Sequence, residues 1–298
     1  MDMRTHRLRQ RSTLRKIFDG ITKTFQDLYQ NRKSAFGFSI VLFFVIMAIA
    51  AMFVPDLPID VLNKFAAPTT KHLLGTDHLG RDLLLMLIAG SRDVLSIAFL
   101  TGVFTVTIGT VLGLVSGIAG GMLDRILQFI TNLFLTVPSF PILLILSTMI
   151  VIKDVLTFAI VLSVWSWAGL SRMVRAQIIS LKERDFIQIC NVMGMKRRRI
   201  IFRELLPNSA SYIAVNFITI MRGAITGSVG IMMLGLAALD TTNWGTMLYL
   251  IFQNGFLVNP KAIYYILSPI ICIFVFQLGI VLLASGVDEI VNPRLRKN

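Results

Sequence analysis

Long apolar blocks alternate with short polar stretches along most of this chain. A helix needs about 20 mostly apolar residues to cross a hydrocarbon core. Six blocks meet that length or come close, and they predict spans over residues 36–54, 94–119, 126–151, 156–170, 212–235 and 264–286. The third is interrupted by Pro138 and Pro141. The pattern predicts an all-α integral membrane protein with six transmembrane helices. Residues 1–35 form a polar tail, 55–93 a long loop, 94–286 the core, and 287–298 a short tail.

Within the first tail, Leu14, Ile17, Phe18, Ile21, Phe25 and Leu28 recur at helical spacing beside Arg15, Lys16 and Lys23. That predicts a helix lying in the headgroup layer. The tail is too polar for a cleavable signal peptide to be expected. In the second span, Gly109, Gly113 and Gly117 fall four residues apart. They make a smooth ridge on which another helix backbone can approach closely.

Composition agrees with a lipid environment. Hydrophobic residues make up 55 % of the 298 positions and charged residues 15 %, against about 25 % charged in a soluble domain. Mean hydropathy is +0.75. The net charge of +13 would suit a nucleic-acid partner if it covered a globular surface. Instead it concentrates in the first tail, in the loop between the fourth and fifth spans, and at the end of the chain. No recognition-module spacing accompanies it. With the first tail inside, the inner segments hold the whole basic excess and the outer ones are near neutral. This predicts both termini in the cytoplasm. Cys190 and Cys272 then fall in an inner loop and in the bilayer, where a disulfide is not expected.

The inner loop over 171–211 is the most informative stretch. Asp185 is placed to cap a helix, with Gln188 three residues on. Phe186, Ile189, Cys190 and Met193 share one face. Gly194 follows where a helix end favours a left-handed residue. Lys196, Arg197, Arg198 and Arg199 come next, and Pro207 is expected to stop a second helix. An apolar stripe on a short inner helix needs cover, either from the chain's own helices or from a groove in another protein.

Here a resemblance becomes specific. Asp185, Phe186, Ile187, Gln188, Ile189, Cys190 and Gly194, then Leu206-Pro207-Asn208, resemble the EAA loop of ABC importer permeases. Ile189 and Cys190 stand where that family has paired alanines. Residues 74–82 read LGTDHLGRD, similar to the LGTDxxGRD signature of the peptide and nickel branch. Leu234-Gly235-Leu236, then Asn243-Trp244-Gly245, resemble LGLG and SWG. Asp288 and Asn292-Pro293-Arg294-Leu295-Arg296 resemble the family's ending. Ser228 stands where a glutamate is usual.

The resemblance implies the type I, MetI-like permease fold and a role as translocation subunit of an ATP-driven importer of di- or oligopeptides. The branch also includes permeases for oligosaccharides and nickel. The implied partners are a paralogous permease, two cytoplasmic ABC ATPase subunits that dock on the EAA loops, and an extracytoplasmic substrate-binding protein. ATP and magnesium would sit on the ATPase subunits, and no cofactor is expected on this chain. It has no GxxxxGK[ST] loop to cradle phosphates.

Metal ligation is not expected. His6, His72 and His78 lack co-ligands at metal spacing, and the last two are read as solvated. Arg222 lies inside the fifth span without a visible acidic partner. It either faces the pathway and meets an anionic group of the cargo, with Ser228 further along the same span, or it snorkels or bonds backbone carbonyls between helices. A stand-alone carrier would show charged midplane sites or inverted repeats, and a membrane enzyme a convergent cluster of His, Asp or Ser. Neither is evident.

Overall fold

A computed structural model describes residues 31–237 and 239–291. The predicted headgroup-layer helix and the motif over 292–296 lie outside the described residues. The helices are α1 (Arg32–Ala50), α2 (Leu83–Ala119), α3 (Gly121–Thr136), α4 (Ser139–Met149), α5 (Val155–Lys182), α6 (Asp185–Val192), α7 (Arg197–Met233), α8 (Trp244–Gln253) and α9 (Ile263–Val291). Five of these, α1, α2, α5, α7 and α9, are long and apolar enough to cross a membrane. The pair α3 and α4 makes a sixth crossing only if counted together across a bend of 87°.

Several boundaries differ from expectation, each for a local reason. α1 starts at Arg32 because the Asn31 side chain accepts from the amides of Lys33 and Ser34 at 3.0 and 3.4 Å. α2 starts at Leu83, where Asp82 caps it through the Leu85 amide at 3.0 Å. Residues 83–93, assigned to the long loop, are therefore helical. Their buried positions Leu83, Met86, Leu87, Gly90 and Ser91 keep helical spacing despite Arg92 and Asp93. α5 runs on to Lys182, so the inner loop is shorter than 171–211. α9 continues to Val291, past the predicted end at 286.

The third predicted span is not one rod. Val137 precedes Pro138 and is held extended at φ −86°, ψ 130°, as residues before proline prefer. Pro141 then sits in the first turn of α4, where a missing N–H costs nothing. Pro207 does not stop a helix either. A π-helical segment, Ile201–Leu205, precedes it, and α7 continues through it to Met233. The wider π turn leaves room for a ring that would clash in a regular helix.

Three apolar clusters hold the bundle. One joins α1, α2, α8 and α9 around Phe44, Met86, Trp244, Tyr265 and Phe276. A second joins α2, α4, α5 and α7 around Ile97, Leu143, Phe158 and Ile231. The third, at the end rich in Lys and Arg, joins Leu170, Val174 and Ile178 of α5 to Ile187 of α6 and Ile200 and Leu205 of α7.

α2 and α5 meet along the glycine ridge. A Cβ on Gly109 would come 3.0 Å from Leu170 Cβ, on Gly113 2.6 Å from the Ser171 carbonyl oxygen, and on Gly117 2.9 Å from Ile178 Cγ2. Gly113→Val should therefore force the helices apart. Overpacking of this kind costs about 1–3 kcal/mol and should lower the thermal midpoint in detergent. Gly169→Ala, whose Cβ meets nothing within 4 Å, should not. An unchanged midpoint for Gly113→Val would contradict the close approach.

Candidate functional site

Three places carry chemistry: the short helix at the basic end, the exposed face of α7, and the polar clamp at the opposite end. α6 is built locally. Arg184, extended at φ −74°, ψ 141°, is its N-cap, and no side chain caps it. Asp185 is thus in the first turn rather than at the cap, and its charge acts only on the helix dipole. Gln188 Nε2 donates to the Glu183 carbonyl at 3.2 Å instead of closing a capping box. At the other end Gly194 has φ +68°. Its amide donates to the Asn191 carbonyl at 3.0 Å, and the Met195 amide donates to Cys190 at 3.1 Å. This paired bonding is a Schellman ending and needs a left-handed residue.

The faces of α6 are turned unusually. Ile187 points in and is 1 % exposed, locked against Ile178, Ile200 and Leu205. Asn191 lines a 160 Å³ cavity with Lys182 and Arg197. Phe186, Ile189 and Met193 are exposed, as is Val192 at 89 %, while Cys190 is half-buried. Helices normally present polar residues outward. Here an apolar ridge looks away from the chain, flanked by exposed Lys196, Arg197, Arg198 and Arg199.

Behind α6, Arg175 of α5 grips Asp124 of α3 through two bonds of 2.7 Å. Lys182 Nζ donates to the Gly117 carbonyl at 3.1 Å, closing the end of α2. Arg172 donates to Asn132 Oδ1 at 2.7 Å. The end of α5 that leads into α6 is thus fastened to α2 and α3.

On α7, Arg222 lines two cavities. One, about 550 Å³, lies between α7, α8 and α9. The other, about 520 Å³, lies between α4, α5 and α7. Ser228 does not join it. That side chain is 2 % exposed and donates to the Ile225 carbonyl at 3.0 Å, so the structure separates the two residues paired by the sequence reading.

The opposite end is closed by residues 74–82. Asp77 is fully buried and Arg81 nearly so. Arg81 Nε and Nη2 donate to Asp77 Oδ2 at 2.9 and 2.7 Å, and Nη1 donates to Thr241 Oγ1 at 2.9 Å. Asp77 Oδ1 also accepts the amides of Leu79 and Arg81, both at 2.8 Å. Gly80, at φ +80°, lets the turn pass so close to Asp60 that a Cβ would lie 1.8 Å from its carbonyl oxygen.

The two histidines here are not solvated, contrary to expectation. His72 Nδ1 lies 2.8 Å from Asp82 Oδ2. His78 packs on the rings of Phe256 and Tyr265, with centroids 5.5 and 5.6 Å apart. Burial holds its imidazole below the ordinary pKa, against the opposing pull of Asp77. Among the described residues no three His, Cys, Asp or Glu side chains group as a metal site needs.

The family model described as the inner membrane component of binding-protein-dependent transport systems matches residues 109–297. The chain belongs to this family. Among related proteins, the oligopeptide transport system permease OppC of Lactococcus lactis is 31 % identical over 210 residues, covering 69 % of this chain and 71 % of that one. OppC of Bacillus subtilis is 30 % identical over 277 residues, covering 90 % and 87 %. The dipeptide transport system permease DppC of Alkalihalophilus pseudofirmus is 28 % identical over 279 residues, covering 92 % and 90 %. A chain of the MetNI methionine ABC transporter in inward-facing conformations matches with a TM-score of 0.54 at 22 % identity, covering 71 % of this chain and 97 % of that one. The fold is that of the type I ABC importer permeases.

The permease carries features that sequence reading missed. Val192 is the most exposed residue of the α6 ridge, yet it was not assigned to the stripe. Its position three after Ile189 was the available signal. Thr219, Thr226 and Gln277 around Arg222 also went unread. A lone amide in the apolar run of α9 was the clue there.

Proposed function

We propose that this permease pairs with a paralogous permease to form the pathway of an importer for di- and oligopeptides. An extracytoplasmic binding protein delivers the cargo. Two cytoplasmic ABC ATPase subunits bind the ATP and magnesium, and this chain has no ATPase site of its own. Both termini then lie in the cytoplasm, together with α6. Peptide cargo is supported by the oligopeptide and dipeptide names of the relatives.

The observation that carries the proposal is the outward apolar ridge of α6 on a base fixed by Ile187. An ATPase groove would cover Phe186, Ile189, Val192 and Met193, as amphipathic helices seat in grooves. Closure of the ATPase pair would push α6. Ile187 would pass the push to α5 and α7 through the Ile178, Ile200 and Leu205 cluster. Such a push switches the pathway only if the bundle has two packings that the ATPase biases differently.

The test is a deletion of residues 185–202, purified from membranes alongside the intact chain. The deletion should lose the co-purifying ATPase subunits and ATP-driven uptake of a labelled tripeptide in proteoliposomes. Undiminished uptake by the deletion would falsify the coupling role.

A further inference from the structure

The exposed face of α7 holds a charge with no counter-ion. Thr219, Arg222 and Thr226 fall at i, i+3 and i+7 on one side of the helix. Ala224, Ile225, Ser228, Ile231 and Met232 are buried on the other. Arg222 enters no ion pair among the described residues, and its guanidinium makes no hydrogen bond there. That removes the carbonyl-bonding alternative within this chain.

Depth removes snorkelling. At about 1.5 Å per residue, Arg222 lies about 16 Å from the Met233 end of α7 and about 37 Å from its Arg197 end. The nearer distance is about half a hydrocarbon core, beyond the reach of an arginine side chain. A guanidinium so placed needs a water-filled cavity or a partner charge.

The larger cavity is mostly apolar, with Thr226 and Gln277 as its polar lining beside Arg222. Gln277 of α9 donates to Thr226 Oγ1 at 3.0 Å and to the Arg222 carbonyl at 3.3 Å. Its own Oε1 is buried without a partner. On the other side Ser139 and Ser166 line the cavity with Thr219 and Thr226. The first turn of α4, just past the break after α3, lines this same cavity through Ser139 and Phe140.

We propose that Arg222 is the anion-holding group of a subsite that takes the carboxylate of cargo in transit, in a cavity also lined by Ser139, Ser166, Thr219 and Thr226. The hydroxyls of Ser166, Thr219 and Thr226 donate to carbonyls of their own helices, which leaves the guanidinium as the donor. The guanidinium offers five donors in a planar fork matched to a carboxylate, and it cannot lose its charge. The side chains named around it add hydroxyls and an amide but no carboxylate, so its charge is left for a group from outside this chain, which we assign to the cargo. A cationic group at the same place would be repelled. The inference rests on the proposed peptide-import function, because a peptide brings a terminal carboxylate.

The experiment uses the whole importer in membrane vesicles, with Cys190 and Cys272 replaced by alanine and Thr226→Cys as reporter. Rates of modification by an anionic sulfonatoethyl and a cationic trimethylammonioethyl methanethiosulfonate are compared, each corrected for its rate with a free thiol. One helical turn from Arg222, the anionic reagent should be favoured, and Arg222→Gln should cut that preference by about fivefold or more. Trialanine should slow the anionic reaction, and Arg222→Lys should keep part of the preference. No reaction with either reagent, or a ratio unmoved by Arg222→Gln, overturns the subsite. Trialanine uptake by the unsubstituted importer is measured separately. Its absence would strike the peptide function, while an Arg222-dependent charge ratio would still stand.

Discussion

Ile189→Asp combined with Val192→Asp is expected to abolish ATP-driven uptake while leaving the permease inserted and folded. Both side chains are well exposed in the isolated chain, so charging them costs little until a partner covers them. In a desolvated groove each becomes an unpaired buried carboxylate. Truncations at such anchors cost about 2 kcal/mol or more, about thirtyfold in affinity for one site. Two sites on one eight-residue helix should leave little ATPase bound at working concentrations. Co-purification and vesicle uptake read the effect. Ile187→Ala is the contrasting variant. It opens a cavity in the cluster under α6 and should lower the thermal midpoint by losing about 2–5 kcal/mol of packing. If the double aspartate variant retained its ATPase and its transport rate, α6 would not be the docking element.

Asp77→Ala should unfasten the opposite end of the bundle. The carboxylate is buried, accepts two backbone amides and pairs with Arg81. Its removal strands a guanidinium that is 8 % exposed. Breaking a buried pair from one side costs about 3–5 kcal/mol, and the freed amides add to that. The expected signs are a lower thermal midpoint and faster proteolysis across residues 54–82. Removing Arg81 as well should recover part of the loss, since no charge is then left unpaired. A double variant as unstable as Asp77→Ala would locate the cost in the amides rather than in the pair.

Much of this permease is legible along the chain. The apolar blocks locate all the long helices because crossing hydrocarbon sets a minimum run of apolar residues. The left-handed turn at Gly194 is a local matter, and so is the four-residue spacing that puts Gly109, Gly113 and Gly117 on one face. Helix ends are less legible. α2 begins at Asp82 through a side-chain cap although charged residues follow, and α5 carries Arg172 and Arg175 into helix because Asn132 and Asp124 receive them. Proline's usual helix-breaking effect does not hold at Pro207, because the π segment before it removes the clash.

What the order of residues determined by itself is the solvent for each segment, the short-range turns and the family membership. Those depend on hydrophobicity and on backbone preferences of neighbouring positions. Which way the segments face was decided only in the folded bundle. Ile187 turns inward and Val192 outward because Ile178, Ile200 and Leu205, from two other helices, offer one pocket at that spot. Arg222 meets Gln277 from 55 residues away, and His78 packs against the rings of Phe256 and Tyr265. No local rule encodes these meetings, because each arises from packing distant helices into a shared space.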